Sequence, residues 1–147
     1  MKPMRQQSNP ARKRRLFDYI EQRDLEMRSV YRRLVLSGEV GDACDSMYVW
    51  ELVVRHPASR FFISEESATR ALRAYAAGRS RGCGKAVQSV VGSLGEAFLA
   101  RRAVDPSLSA ARFAAEAVYG PAPGFFIKAD TARKSVAATC RRLGLRI

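Results

Sequence analysis

One stretch of this chain occurs twice, and it limits what the chain can fold into. Pro57-Ala-Ser-Arg-Phe-Phe-Ile-Ser-Glu-Glu-Ser-Ala-Thr-Arg-Ala-Leu72 returns 64 positions later, without a gap, as Pro121-Ala-Pro-Gly-Phe-Phe-Ile-Lys-Ala-Asp-Thr-Ala-Arg-Lys-Ser-Val136. Pro57/Pro121, Ala58/Ala122, Phe61/Phe125, Phe62/Phe126, Ile63/Ile127 and Ala68/Ala132 are identical, and Glu66/Asp130, Ser67/Thr131, Arg70/Lys134 and Leu72/Val136 are conservative. Self-similarity at a fixed period marks a repeated supersecondary unit.

The hydrophobic pattern around both copies is helical. Leu16 to Leu36 reads as one long helix, with Leu16, Ile20, Met27, Val30, Tyr31, Leu34 and Val35 on its apolar face. Arg23, Arg28, Arg32 and Arg33 are interleaved with Asp18, Glu21, Asp24 and Glu26, and spacings such as Asp24 to Arg28 suit an exposed face. Ser37-Gly38 ends it. Asp42 or Asp45 is placed to cap a second helix through Val54, which the proline at 57 stops. Phe61-Phe62-Ile63 then forms an extended corner. Ser64 caps a third helix, with Glu65 and Glu66 in its first turn, Ala68, Ala71, Leu72 and Tyr75 inward, and Arg70 and Arg73 outward.

The second half repeats the order. Ala86 to Arg101 is a shorter version of the first helix, whose small residues Ser89, Gly92, Ser93 and Gly95 admit a close partner, expected to be the first helix. Asp105 or Ser107 caps a fifth helix that ends at Gly120-Pro121, and a sixth runs from about Ala129 to Leu143 with Gly144 as its stop. The expected fold is therefore all-α, a tandem repeat of a three-helix unit with about six helices and approximate two-fold symmetry. Residues 1–15 form a basic N-terminal arm, 16–79 the first repeat and 80–147 the second, with one shared core.

Charge points to the partner. The chain carries 26 Lys+Arg against 14 Asp+Glu, a net charge of +12. Residues 1–77 hold 14 basic and 10 acidic groups, whereas 78–147 hold 12 and 4, so the excess lies in the second half. Most of it is arginine, whose planar guanidinium grips phosphate through two donors. Four clusters stand out: Arg12, Lys13, Arg14 and Arg15; Arg79, Arg81 and Lys85; Lys128, Arg133 and Lys134; and Arg141 and Arg142. They are the predicted nucleic-acid-binding residues. In the first copy of the repeated helix, Glu65 and Glu66 would repel phosphates at its start, leaving its C-terminal end as the better contact. Lys128 and Ala129 relieve that repulsion in the second copy.

Other chemistry finds little support. Gly78-Arg-Ser-Arg-Gly-Cys-Gly-Lys85 has five residues rather than four between Gly78 and Gly84, and Ala86 where a phosphate loop needs Ser or Thr. It reads as a basic linker. His56 is the only histidine and lacks a placed acid–base partner. Trp50 sits in an apolar helix and reads as core. Cys44, Cys83 and Cys140 are odd in number and far apart, which suits free thiols in a reducing cytoplasm. No run of apolar residues is long enough to span a bilayer, and no apolar segment follows the basic N-terminus as a secretory signal would require.

The segment Arg60-Phe-Phe-Ile-Ser-Glu-Glu-Ser-Ala68, following Val54-Arg-His-Pro-Ala58, resembles a Pro-Ala-x-Arg-Phe-aromatic-Val/Ile-Ser-x-Glu-x-Ala pattern. That pattern belongs to small uncharacterised proteins of Bacteroides-type prophages and mobile elements. The resemblance covers roughly residues 12–75 and implies a phage or mobile-element setting without an activity to carry over. The second copy departs from the pattern at Gly124, Lys128 and Ala129.

The expectation is a non-enzymatic protein, without cofactor or metal, that contacts nucleic acid through phosphates, DNA in preference to RNA. The alternative is an assembly or interaction protein, a virion or mobile-element component, whose basic surface meets an acidic partner or a second copy of itself. No membrane role is expected.

Overall fold

The computed structural model describes residues 10–38, 46–78 and 85–147. Six helices follow one another: α1 (Pro10–Leu36), α2 (Ser46–Arg55), α3 (Glu65–Ala76), α4 (Lys85–Val104), α5 (Ala110–Ala117) and α6 (Ala129–Leu143). The described residues contain no β-strand, and the chain is all-α. None of these helices is long and apolar enough to cross a membrane.

Local chemistry sets most helix ends. Ser64 takes an extended conformation before α3, and its hydroxyl accepts from the Ser67 N–H at 3.1 Å. Lys128 adopts the same extended cap before α6 but brings no side-chain acceptor. Gly144 closes α6 in the left-handed region at φ 69°, where a Cβ would be costly.

Three boundaries differ from the sequence expectation. The first helix begins at Pro10, a residue suited to a first helical turn because it lacks an N–H to leave unpaired. The fourth continues to Val104. The fifth is capped by Ser109, whose hydroxyl accepts from the Arg112 N–H at 3.1 Å, and not by Asp105 or Ser107. Asp105 is already engaged in the preceding turn: the Ser107 N–H and hydroxyl donate to its carboxylate at 3.2 and 2.6 Å. Those bonds hold its carboxyl below the ordinary range, the hydroxyl contributing most. The capping role expected of Asp42 or Asp45 lies outside the described residues, as do Cys44, Cys83 and the segment from Arg79 to Gly84.

Packing joins the two halves of the sequence. α3 packs on α4 and α5, while α6 packs on α1 and α2. The expected α1–α4 pair is therefore not the principal contact of either helix. Gly95 shows why: a Cβ there would stand 2.5 Å from the Tyr75 ring, so the missing side chain admits α3 instead. One buried cluster takes members from all six helices, among them Met27, Trp50, Leu72, Phe98, Phe113 and Val136. Trp50 is 2% exposed and stacks on Tyr31, with ring centroids 4.7 Å apart.

The two Pro-Ala-x-x-Phe-Phe-Ile corners meet each other. Ala58 and Ala122 form an isolated antiparallel bridge. The Phe61 N–H donates to Val118 O at 2.9 Å, and the Phe125 N–H to Val54 O at 3.0 Å. Phe61 stacks on Phe126 and Phe62 on Phe125, at 5.8 and 5.9 Å between centroids. Phe61 and Phe125 are buried, and Phe62 and Phe126 half-buried. Phe126 has φ 54°, a region that costs a residue with a Cβ about 1–2 kcal/mol. Gly124 allows the close approach, since a Cβ there would lie 3.1 Å from Val54 O.

One buried charge fastens α6 to α1. Asp24 is 1% exposed, not on the outer face that its spacing to Arg28 suggests. Its carboxylate accepts from Thr139 at 2.6 Å, Ser135 at 2.9 Å and Arg23 at 3.2 Å. A buried carboxylate is tolerable when its lone pairs are filled in this way. Arg28 instead donates to Arg146 O.

Candidate nucleic-acid interface

α6 carries most of the predicted contacts whose side chains are described. Lys128 stands exposed at its start, and Lys134 and Arg141 lie seven residues apart on its outer face. Arg133 and Lys134 share one acid: Asp130 accepts from them at 2.9 and 3.0 Å. The Arg133 guanidinium, and then the Lys134 ammonium, hold the Asp130 carboxyl below the ordinary carboxylate range. Arg142 reaches Glu21 of α1 at 3.4 Å.

These ion pairs are open to solvent, with the cation side chains 43–68% exposed. Pairs of this kind are worth about 0–1 kcal/mol, so a polyanion can displace the carboxylate. The α6 surface is thus partly self-neutralised: Asp130 offsets one of the two charges that share it, and Lys128 and Arg141 make no ion pair with another described residue.

The remaining predicted contacts divide by position. The backbone of Arg12, Lys13, Arg14 and Arg15 lies in the first turns of α1, and Lys85 opens α4; their side chains are not among those described. Arg79 and Arg81 lie outside the described residues.

The structure gathers a second basic group that the sequence reading did not assemble. Arg73 at the end of α3 and Arg102 near the end of α4 line one cleft of about 400 Å³, together with Ala76, Ala77, Phe98, Leu108, Ser109 and Ala110. Arg102 lies over the Phe98 ring, 5.3 Å from its centroid. Neither arginine makes an ion pair with another described residue. Arg73 is legible in the sequence as an outward residue of the third helix. Arg102 lies one residue past the expected end of the fourth, and nothing local in the sequence says that the two ends meet.

Other arginines are committed to structure. The Arg60 guanidinium lies over Tyr119 and Phe62, at 4.6 and 5.6 Å from their centroids, and donates to Phe61 O and Ile63 O. Arg101 pairs with Glu116 at 3.4 Å. Arg33 meets His56 Nε2 at 2.6 Å, while His56 Nδ1 lies 2.8 Å from Pro57 O. A carbonyl only accepts, so Nδ1 carries the proton and Nε2 accepts from Arg33. That bond gives His56 a loop-bracing role. No group of three or more His, Cys, Asp or Glu gathers as a metal site would among the described residues. Cys140 is a buried free thiol.

No protein-family model, no curated protein and no solved structure matches this chain.

Proposed function

We propose that this chain is a non-enzymatic nucleic-acid-binding protein whose arginine-rich surface contacts phosphates, on a scaffold of two related three-helix halves. The observation that carries the reading is the surplus of +12 together with exposed cations that have no ion-pair partner among the described residues, among them Arg70, Arg73, Arg102, Arg112, Lys128 and Arg141. A surface charged in this way attracts polyanions, and each phosphate neutralised releases counterions. Duplex DNA is the favoured ligand and a prophage or mobile element the favoured setting.

An approximate two-fold relation between the halves supports the scaffold. Ala58 and Ala122 occupy the same position in the two copies and bridge to each other. The bonds Phe61 to Val118 and Phe125 to Val54 exchange under the same shift of 64, as do the stacks Phe61–Phe126 and Phe62–Phe125. On this reading each half lends its third helix to the other.

A fluorescence-anisotropy titration with short duplexes of DNA and of RNA tests the function. Binding at low salt that falls steeply as salt rises is the expected result. No binding to either duplex at low salt rejects it, and a defined oligomer in light scattering would then favour an assembly protein with a basic face for an acidic partner.

A further inference from the structure

We propose that the cleft between α3, α4 and α5 seats a single backbone phosphate of the bound nucleic acid, gripped by Arg73 and Arg102 together. The inference rests on the nucleic-acid reading above and assigns it a place. The cleft has a buried apolar floor of Phe98, Leu108 and Ala110, each at most 7% exposed. Its two cations come from two consecutive helices, α3 and α4, and both are exposed.

The polar inventory of the cleft is short. The Ser109 hydroxyl accepts from the Arg112 N–H and keeps its own O–H as a donor. Among the lining residues there is no carboxylate. Arg102 is steadied by the Phe98 ring beneath it, which reduces the rotamer freedom lost when a ligand arrives. Two guanidinium forks over an apolar floor fit an oxyanion presented by a chain passing over the surface. The α6 cations differ, because Asp130 already occupies two of them.

A free phosphate or nucleotide offers the same oxyanion, so the experiment has two arms. Wild type, Arg73→Gln, Arg102→Gln and the double variant are titrated against a labelled DNA duplex over a salt series, and against inorganic phosphate by calorimetry. One shared phosphate contributes about 0.9 to the slope of log affinity against log salt, which is about eightfold in affinity at about 0.1 M salt. The expected result is that each single variant loses most of that factor and the double loses little more, with the slope reduced by about 0.9 rather than twice that. Ala77→Glu places a carboxylate at the cleft while keeping both arginines, and it should weaken duplex binding at least as much; circular dichroism confirms that each variant folds.

The outcomes separate the two readings. Wild type that fails to bind the duplex overturns the proposed function and this site with it. Wild type that binds while the double variant and Ala77→Glu bind equally well, with an unchanged slope, overturns the site alone. Loss of inorganic-phosphate binding with unchanged duplex binding assigns the cleft to a free anion and overturns the inference. Additive losses, with the slope falling by twice the single-site value, overturn the shared phosphate.

Discussion

Ala58 and Ala122 donate to each other's carbonyls, at 2.9 and 3.0 Å, and both are buried. The bridge ties the two corners together across the repeat. Ala122→Pro removes one donor and leaves the Ala58 carbonyl unpaired. The expected loss is about 1–3 kcal/mol, read as a fall of several degrees in Tm. An unchanged melting curve would show that the bridge adds nothing to stability.

Gly95 and Gly92 give a paired prediction on one helix. Gly95→Ala puts a Cβ 2.5 Å from Cε1 of the Tyr75 ring, so it should destabilise by about 1–3 kcal/mol despite the better helix propensity. Gly92→Ala meets nothing within 4 Å and should stabilise by about 0.5–1 kcal/mol. Combining Gly95→Ala with Tyr75→Leu should cost less than the two separate losses added together. Urea denaturation of the set checks all three.

Asp24 is the most exacting single position. Asp24→Ala would take the carboxylate from the Arg23 guanidinium, 15% exposed, which keeps its bond to Ser135, and would remove the acceptor of the Ser135 and Thr139 hydroxyls. The expected loss is about 3–5 kcal/mol. Thr139→Val removes one donor and should cost about 1–3 kcal/mol. Equal losses for the two variants would mean that the charge itself is not held by this network.

Asp130 links stability to the proposed function. Asp130→Asn frees Arg133 and Lys134 from their shared carboxylate, so affinity for a DNA duplex should rise severalfold at low salt, by roughly the amount that one added phosphate contact supplies. No change in affinity would place these two side chains outside the interface.

Asp105 gives a pH signature. Its folded carboxyl lies below the ordinary range because Ser107 donates to the charged form. A depressed carboxylate stabilises the fold above its unfolded value of about 3.9, and that contribution is lost as pH falls through the folded value. The Tm gap between wild type and Asp105→Ala should therefore be present at neutral pH and close in acid. A gap that persists at acid pH would mean that the turn does not depend on the carboxylate's charge.

How much of this was legible in the sequence depends on how local each feature is. Ser64 and Gly144 mark helix ends because cap and stop chemistry is written within a few residues. The contact between the corners is foreshadowed only as a repeat, since similarity does not say that the copies touch. Asp24 looks like a surface charge because Ser135 and Thr139, its hydroxyl donors, lie more than a hundred residues away. Ser109 does not stand out in the sequence because Asp105 and Ser107 are equally good caps by residue type, and only their bonds to each other remove them. Among the candidate contacts, exposure could be read from helical spacing. The sharing of Asp130 lay in the sequence at spacings of three and four, whereas the convergence of Arg73 and Arg102 needs three helices to be in place.

The crossed placement of α3 and α6 has a consequence for how the protein is made. A ribosome releases α1 and α2 long before α6, the helix that covers them. Their apolar faces stay uncovered until α6 has been made, so this part of the core cannot close in the order in which the chain grows.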